Sequence, residues 1–372
     1  MILTNGFCIV LDKNILQKVR SRFIGIKRFG REKCEEEIEI AGRKAIMFSF
    51  RIFGNGLPAV HGVSSGEEIV EFALLSESSG KIHLERDIAG TRPIYTGKGI
   101  ISTDHRFHSD TYKLALPRKF IKKEEKRGEE AVAHKLALII EDAVRKRVSG
   151  MKRVSVAFSG GLDSSIIAFV AKKYTSVALV SVFVEGSADQ DVAKKSAEKI
   201  DIPLLQAKVE REEIKETVRG IYLPYQPSTM DIALYSIYNI ASKKASEIGC
   251  EAIMLGQMAD ELFGGYMKYL SLLVQGKEMT EETMRKDIEK LSTQGFPRDE
   301  IACAQWLIPL FPYSDRRIIE LALSLPIEYK IRGRTRKYIL RRAAEILGLP
   351  DEIVNIGKKA AQYSSGIQKF IA

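Results

Sequence analysis

Cysteine is scarce in this sequence and is not clustered. The four cysteines, Cys8, Cys34, Cys250 and Cys303, are widely separated, and no two of them form a CxxC pair. Neither a zinc knuckle nor a disulfide framework is therefore indicated. We interpret all four as buried thiols without a chemical role.

Long apolar runs are also absent. No stretch of about 18 apolar residues occurs, so no transmembrane helix is indicated. Residues 1–12 lack the basic segment and the small-residue cleavage site of a secretory signal. We therefore expect a cytoplasmic protein without a membrane partner, and the sequence leaves open whether it forms a homo-oligomer.

The charge balance is basic. The 58 Lys and Arg residues exceed the 48 Asp and Glu residues, and the net charge of +10 favours anionic partners such as nucleotides, pyrophosphate or RNA. Part of the excess lies in residues 118–127 and 332–337, which we interpret as solvated helix faces. No RNA-binding motif accompanies these runs, so tRNA is a partner that no motif supports.

Two domains are predicted, because 372 residues suffice for two separate cores. Residues 1–115 indicate a β-rich domain, since the apolar segments 45–53, 69–75 and 81–85 are separated by glycine, asparagine and serine. Residues 116–130 are polar and are predicted to be a linker.

Residues 131–372 are predicted to form an α/β domain. Apolar strand patterns alternate with helical patterns in this part of the chain, which is typical of a parallel sheet. The predicted helices are 131–148, 164–174 and 191–200, and the predicted strands are 154–158 and 177–184.

A phosphate-binding loop follows the first of these strands. Phe158 ends the strand and leads into Ser159-Gly160-Gly161-Leu162-Asp163-Ser164, after which an apolar helix begins. Glycines let the backbone approach an anion, hydroxyls donate hydrogen bonds, and the helix directs unpaired N–H groups at the bound charge. The sequence contains no GxxxxGKS or GxxxxGKT motif, so kinase-like transfer of a γ-phosphate is disfavoured. A serine-rich helix cap is the alternative interpretation.

This loop resembles that of the ATP pyrophosphatase (PP-loop) superfamily. A second segment, 253–266, is similar to a signature of glutamine-hydrolysing asparagine synthetases, and the segments 71–75 and 86–95 are similar to parts of their glutaminase domain. The resemblance implies a parallel-sheet adenine nucleotide alpha hydrolase-like domain, preceded by a smaller β-rich Ntn-hydrolase-like domain of degenerate glutamine amidotransferase type. It also implies ATP and Mg²⁺ as cofactors.

The resemblance assigns roles to individual residues. Asp163 and Asp260 would share Mg²⁺, a metal that prefers one or two protein carboxylates together with phosphate oxygens. Lys358 or Lys359 would be the catalytic lysine that stabilises charge on the α-phosphate. The remaining implied contacts to ATP and pyrophosphate come from Phe158, Ser159, Gly160, Gly161, Asp163, Ser164, Val182, Leu255 and Gly256.

The sequence departs from the family pattern at several positions. It begins Met1-Ile2 where the family has Met-Cys, and the glutamine-binding NGE segment is missing, so we expect no glutaminase activity. Gln257 stands where the family has a catalytic glutamate, and glutamine cannot act as a general base. On the acceptor side, Asp299-Glu300 replaces Asp-Arg, and Ile308 and Leu310 replace a glutamate and an arginine.

We therefore expect an ATP-dependent amide ligase that adenylates a small-molecule carboxylate, releases pyrophosphate, and transfers the acyl group to ammonia or an amine. A cyclising enzyme similar to β-lactam synthetases is one alternative, since these also carry an inactive front domain. An RNA-modifying PP-loop enzyme and a nucleotide-binding pseudoenzyme are the others.

Overall fold

A computed structural model describes most of the chain. The described residues are 2–11, 16, 34–40, 43–53, 59–65, 68–79, 81–97, 100–103, 110–111, 128–184, 189–221, 223–356 and 367. Residues 112–127, which contain most of the predicted linker, lie outside them, so the domain boundary stays a prediction.

The first part of the chain is β-rich, as predicted. It forms a nine-stranded sheet in the order β6-β5-β4-β1-β8-β7-β9, to which β2 is attached through the pairing of β3 with β1. Alternate side chains pack inward and form a core that includes Ile9, Met47, Ala73 and Leu75. The strands are β1 (Ile2–Val10), β2 (Cys34–Ile40), β3 (Arg43–Phe53), β4 (Ala59–Ser65), β5 (Glu68–Ser78), β6 (Lys81–Arg86), β7 (Tyr95–Gly97), β8 (Ile100–Ser102) and β9 (Asp110–Thr111).

The second part contains a five-stranded sheet in the order β12-β11-β10-β13-β14. Every neighbouring pair in this sheet is parallel, which confirms the predicted parallel α/β domain. Seven of the eight residues of β11 are buried, as expected for a parallel strand covered on both faces. The strands are β10 (Arg153–Ala157), β11 (Ser176–Phe183), β12 (Leu204–Lys208), β13 (Ala252–Met254) and β14 (Ile308–Leu310), and β15 (Ile331–Arg332) pairs with β16 (Thr335–Arg336) in a separate hairpin.

Helices occupy most of the remaining sequence of this part. They are α1 (Glu129–Val148), α2 (Leu162–Ala171), α3 (Asp189–Ile200), α4 (Arg211–Arg219), α5 (Thr229–Glu247), α6 (Ala259–Phe263), α7 (Met267–Gln275), α8 (Lys277–Lys290), α9 (Phe296–Ala304), α10 (Arg316–Ser324), α11 (Ile327–Lys330), α12 (Tyr338–Leu347) and α13 (Asp351–Val354). The predicted helices agree with α1, α2 and α3 within a few residues at each end. No helix among the described residues is long and apolar enough to cross a membrane.

The order of the parallel strands defines where a ligand can bind. From β10 the chain moves outward to β11 and β12, and then returns to place β13 on the opposite side of β10. In such sheets a crevice opens at the carboxyl ends of the two strands that flank this reversal, and ligands bind there. The fold therefore places the ends of β10 and β13 at the expected ligand crevice.

Buried ion pairs connect the β-rich part to the α/β part. The carboxylate of Glu71 on β5 accepts hydrogen bonds from Arg92 at 2.8 Å, from Arg147 on α1 at 2.5 Å, and from the backbone N–H of Phe311 at 2.7 Å. Arg92 also pairs with Glu300 on α9. Because all four charged side chains are almost completely buried, each depends on the others for its electrostatic compensation.

Candidate functional site

In the glycine loop after β10, the backbone lies very close to the backbone of α3. Gly160 has a φ of +73°, and a Cβ atom there would lie 2.8 Å from backbone atoms of Val192 and Ala193 at the start of α3. Its carbonyl oxygen also accepts a hydrogen bond from Ser196 Oγ at 2.9 Å. Only glycine satisfies both the left-handed backbone and the contact with α3.

The first turn of α2 leaves backbone N–H groups available to a ligand. Gly161 precedes the helix, and no side chain caps this end. Ser159 Oγ and Ser164 Oγ lie 3.5 Å apart beside the turn. Because the positive end of the helix dipole and two hydroxyl groups share this location, the loop can accept an anion such as pyrophosphate.

The loop after β13 lies directly against the same turn. A Cβ atom at Gly256 would be 3.2 Å from the Cβ atom of Asp163, which shows how closely the two strand ends approach. Gln257 follows and is half-buried, and Met258 adopts a left-handed backbone with a φ of 78° just before α6 begins. The two predicted segments are therefore adjacent in space at the ligand crevice.

A lysine joins the two predicted metal ligands. Lys337 Nζ lies 2.5 and 2.6 Å from the two carboxylate oxygens of Asp163 and 2.7 Å from Oδ1 of Asp260. The side chain of Lys337 is only 3% exposed, and each aspartate is 17% exposed. Burial lowers the pKa of the Lys337 ammonium, and the Asp163 carboxylate opposes this effect.

Backbone conformation and small residues fix this arrangement. Lys337 has a φ of 57° where β16 ends and α12 begins, a left-handed conformation that is uncommon for lysine. A side chain at Gly265 would displace this arrangement, because a Cβ atom there would overlap both the Asp260 carboxylate and the Lys337 side chain. The interpretation of 332–337 as a solvated face is therefore wrong for Lys337, since the hairpin directs its side chain inward.

Tyr313 contacts the backbone of Asp163, and Glu261 follows Asp260 in the sequence. The Tyr313 hydroxyl donates a hydrogen bond to the backbone carbonyl of Asp163 at 3.1 Å, and burial raises the pKa of this hydroxyl well above its usual value. Glu261, next to Asp260, is buried and accepts a hydrogen bond from the Tyr266 hydroxyl. Burial raises the pKa of Glu261, so this neighbour does not behave as a solvated carboxylate.

The residues present fit a divalent cation. Asp163 and Asp260 come from different loops, yet both are within hydrogen-bonding distance of one ammonium group, so their carboxylates can share a single positive charge. Mg²⁺ that is bound together with a nucleotide usually takes one or two protein carboxylates and phosphate oxygens as ligands, and the loop beside these two carboxylates can accept an anion. Among the described residues, no group of three or more His, Cys, Asp or Glu side chains offers a richer metal site.

The other predicted site residues occupy different surroundings. Phe158, Val182 and Leu255 are 3%, 6% and 0% exposed, so their side chains belong to the core, and any contact with a nucleotide would come mainly from their backbones. The two lysines implied to be catalytic, Lys358 and Lys359, lie outside the described residues.

The acceptor-side departures are explained partly by packing. Glu300, which stands in place of an arginine, pairs with Arg92 of the β-rich part. Asp299 is fully buried, and its pKa is raised to about 6 by burial, against the opposing effect of Arg298. Leu310 is completely buried in the core. Of the substituted positions, Glu300 therefore contributes to the interface and Leu310 to the core.

Lys337 and Tyr313 were not predicted as site residues. Nothing in the spacing of either residue shows that it reaches Asp163. Their contribution depends on the turn of the β15–β16 hairpin and on the short 3₁₀ helix Pro312–Ser314.

The sequence also matches the model of a known protein family over the residues that form the candidate site. The family model described as asparagine synthase matches residues 135–307 and 279–370, which together make up more than half of the chain. The chain belongs to the asparagine synthase family. The family match includes both loops of the site, Lys337, and helix α1 from residue 135 onward.

Individual asparagine synthetases are also similar to this chain in sequence. A protein of Methanocaldococcus jannaschii, whose name as a glutamine-hydrolyzing asparagine synthetase is provisional, is 33% identical over 267 residues, or 62% of this chain and 49% of that protein. Asparagine synthetase B of Escherichia coli K12 is 26% identical over 256 residues, or 63% of this chain and 45% of that protein. The asparagine synthetase of Sandersonia aurantiaca is 28% identical over 344 residues, or 80% of this chain and 64% of that protein.

The chain spans about half the length of the first two of these relatives. Among solved structures, NMN synthetase from Francisella tularensis matches 64% of this chain and 78% of its own, with 11% identity and a TM-score of 0.35. This similarity is too weak to define the fold more closely than the strand order does.

Proposed function

We propose that the protein is an ATP-dependent amide ligase that adenylates a small carboxylate. The observation that carries the proposal is the meeting of Asp163, Asp260 and the uncapped first turn of α2 at the ends of β10 and β13. In the first half-reaction a carboxylate oxygen attacks the α-phosphorus of ATP, the bond to the β-phosphate oxygen breaks, and pyrophosphate leaves. In the second, ammonia or an amine attacks the acyl carbon, AMP leaves, and a proton is released.

The described residues support the first half-reaction. The N–H groups of α2, together with Ser159 and Ser164, would hold the departing pyrophosphate. Asp163 and Asp260 would hold Mg²⁺, which when bound neutralises charge on the phosphate oxygens. By the resemblance, Lys358 or Lys359 would supply a fixed cation near the α-phosphate.

We propose an acceptor other than aspartate. The family's glutamate and arginine are replaced by the half-buried Ile308 and the buried Leu310, neither of which can pair with a charged amino or carboxylate group. Gln257 can orient a substrate through its amide group but cannot take up a proton as a base.

We further propose that the β-rich part has no glutaminase activity. Cys8 lies inside β1, and its backbone is in register with Phe48 of β3 on one side and Ser102 of β8 on the other. Such a position in the middle of a sheet does not supply the free α-amino group that an N-terminal cysteine nucleophile uses as its base. Ammonia or an amine would therefore be the direct nitrogen donor.

Substrate-dependent exchange of labelled pyrophosphate into ATP tests the proposed adenylation. We expect exchange with a subset of small carboxylates, tested one at a time with Mg²⁺, and little exchange with aspartate. Asp163→Asn should abolish the exchange, whereas Asp201→Asn, at an exposed turn, should not. Exchange that requires no carboxylate, or exchange unaffected by Asp163→Asn, would contradict the proposal.

A further inference from the structure

A second cavity lies away from the nucleotide loop. Its volume is about 300 Å³, at the lower end of the range for small-molecule pockets, and it is enclosed by α8, by the end of α10 and by α11. None of the residues of the two site loops lines it, and neither does Lys337. Lys330 and Lys337 flank the β15–β16 hairpin, so the cavity is near the nucleotide site but separate from it.

Lys330 is the unusual residue of this cavity. It is only 5% exposed, it lines the cavity, and its ammonium group forms no hydrogen bond or ion pair within the part of the chain that the structure describes. Burial lowers the pKa of Lys330 to about 8, although the Glu281 carboxylate acts in the opposite direction. A buried ammonium without a partner is costly, so an anion placed in the cavity would stabilise it.

Charges of both signs line the same cavity. Glu281 and Arg285 are half-buried, lie on α8, and likewise form no side-chain ion pair or hydrogen bond among the described residues. By contrast, Lys277 and Glu328 at the rim pair with each other. The interior therefore offers two cations and one carboxylate that are not neutralised by direct contacts.

Much of the remaining wall is apolar, although Ser324 and the exposed Glu278 also line it. Met284 and Ile288 of α8 are 1% and 2% exposed, and Leu325 and Ile327 are 5% and 1% exposed. A ligand that fits this wall carries a hydrocarbon group as well as charges.

We propose that this cavity binds an α-amino acid with an apolar side chain, with its carboxylate on Lys330 and Arg285 and its ammonium group on Glu281. The zwitterion satisfies all three interior charges, and its side chain covers the apolar wall. A plain carboxylate would leave Glu281 without a partner, and a plain amine would leave Lys330 without one.

Calorimetric titration of the full chain, without ATP or metal, tests this assignment independently of the ligase reaction. The probes are leucine, valine and methionine, together with two leucine analogues, 4-methylpentanoate without the amino group and 3-methylbutylamine without the carboxylate. We expect saturable binding of at least one amino acid at one site per chain, and binding of its analogues that is at least about tenfold weaker. Failure of all three amino acids to bind, or analogues that bind as tightly as leucine, would overturn the proposal.

Variants locate the site. Glu281→Gln should weaken amino-acid binding by about tenfold or more but lower the unliganded melting temperature only slightly, because Glu281 has no direct ion pair to lose within the described part of the chain and acts on Lys330 only through space. Lys330→Met should abolish binding without lowering that melting temperature, since it removes a buried charge. Lys277→Met at the rim is the matched control and should bind normally. Unchanged amino-acid binding in Glu281→Gln and Lys330→Met would place the site elsewhere and overturn the assignment.

Discussion

At the scale of single residues, the Lys337 ammonium lies between the two carboxylates of the candidate site. It is bound by both aspartates that the proposed function assigns to Mg²⁺. A metal ion cannot share these carboxylates until the ammonium moves away, so the lysine and the metal compete for one location.

Replacement of Lys337 tests this competition. In Lys337→Met the two carboxylates lose their shared cation, so we expect Mn²⁺ to bind about tenfold or more tightly in the absence of nucleotide. The melting temperature of the variant should also rise with Mn²⁺ concentration, because a ligand that binds only the folded state stabilises it. Mn²⁺ binding can be followed by electron paramagnetic resonance.

Lys199→Met is the control for this variant. Lys199 is a half-exposed lysine that pairs with Glu352 and with neither aspartate of the site, so its removal should leave Mn²⁺ binding unchanged. Unchanged affinity in Lys337→Met would show that the ammonium does not occupy the metal position.

Lys330 gives a prediction for the pH dependence of stability. Its pKa is about 8 in the folded protein and 10.5 for an ordinary lysine, so between these values the unfolded chain binds more protons. Stability should therefore rise with pH across this range, by up to about 3 kcal/mol from this group. In urea unfolding at pH 8 and pH 10.5, the stability of the native protein should rise by up to about 3 kcal/mol relative to that of Lys330→Met, because all other titrating groups are common to the two proteins. Parallel curves would contradict the assignment of a buried, charged Lys330.

Sequence alone predicted the residue types of the site but not all of its members. Asp163 and Asp260 were predicted because their segments resemble known signatures, and the structure places them together. Lys337 was interpreted as part of a solvated basic run. Its burial depends on one left-handed φ and on the missing side chain of Gly265, which no local pattern of charge reveals.

At the scale of secondary-structure elements, the contact between the glycine loop and α3 sets the loop conformation. Gly160→Ala should destabilise the protein by about 1 to 3 kcal/mol or more, because it adds both φ strain and a clash with the backbone of α3. It should also reduce pyrophosphate exchange, since the loop must shift. Thermal unfolding and the exchange assay measure the two effects.

Gly150→Ala separates the two causes. Gly150 has a φ of +76°, similar to that of Gly160, but a Cβ atom added there would meet no other side chain or backbone within 4 Å. This variant should show only the smaller cost of backbone strain, with normal exchange. Equal effects of the two substitutions would mean that the approach to α3 is unimportant.

The elements themselves were largely predictable. Apolar runs bounded by glycine and polar residues marked the strands, and the spacing of buried residues in α1 marked that helix. The prediction did not include the five-residue π-helix Leu291–Gly295, where a glycine Cβ atom would meet Leu291 and Gln257. That irregularity follows from tertiary contacts and has no local signal.

At the scale of the whole molecule, Glu71 holds the β-rich part and the α/β part together. Glu71→Gln would leave Arg92 and Arg147 partly uncompensated in a buried location, at a cost of about 3 to 5 kcal/mol. The melting temperature should fall accordingly. Glu77→Gln, at an exposed position on the same strand, should change it little, and a similar loss in both variants would contradict this role.

The sequence indicated two parts and a parallel sheet, but it did not indicate the order β12-β11-β10-β13-β14 or the ion pairs between the parts. Arg92 and Glu300, for example, are 208 positions apart in the sequence. No periodic pattern of residues indicates that two such distant side chains pair. The ligand crevice therefore became evident only when the strand order placed β10 beside β13.

The most direct test of the whole account is the identity of the products formed from ATP. The full chain would be incubated with ATP, Mg²⁺, ammonia and each carboxylate that supports exchange, and the products would be followed by phosphorus nuclear magnetic resonance. The account predicts AMP and pyrophosphate in equal amounts, and none with Asp163→Asn. Formation of ADP and orthophosphate would contradict it.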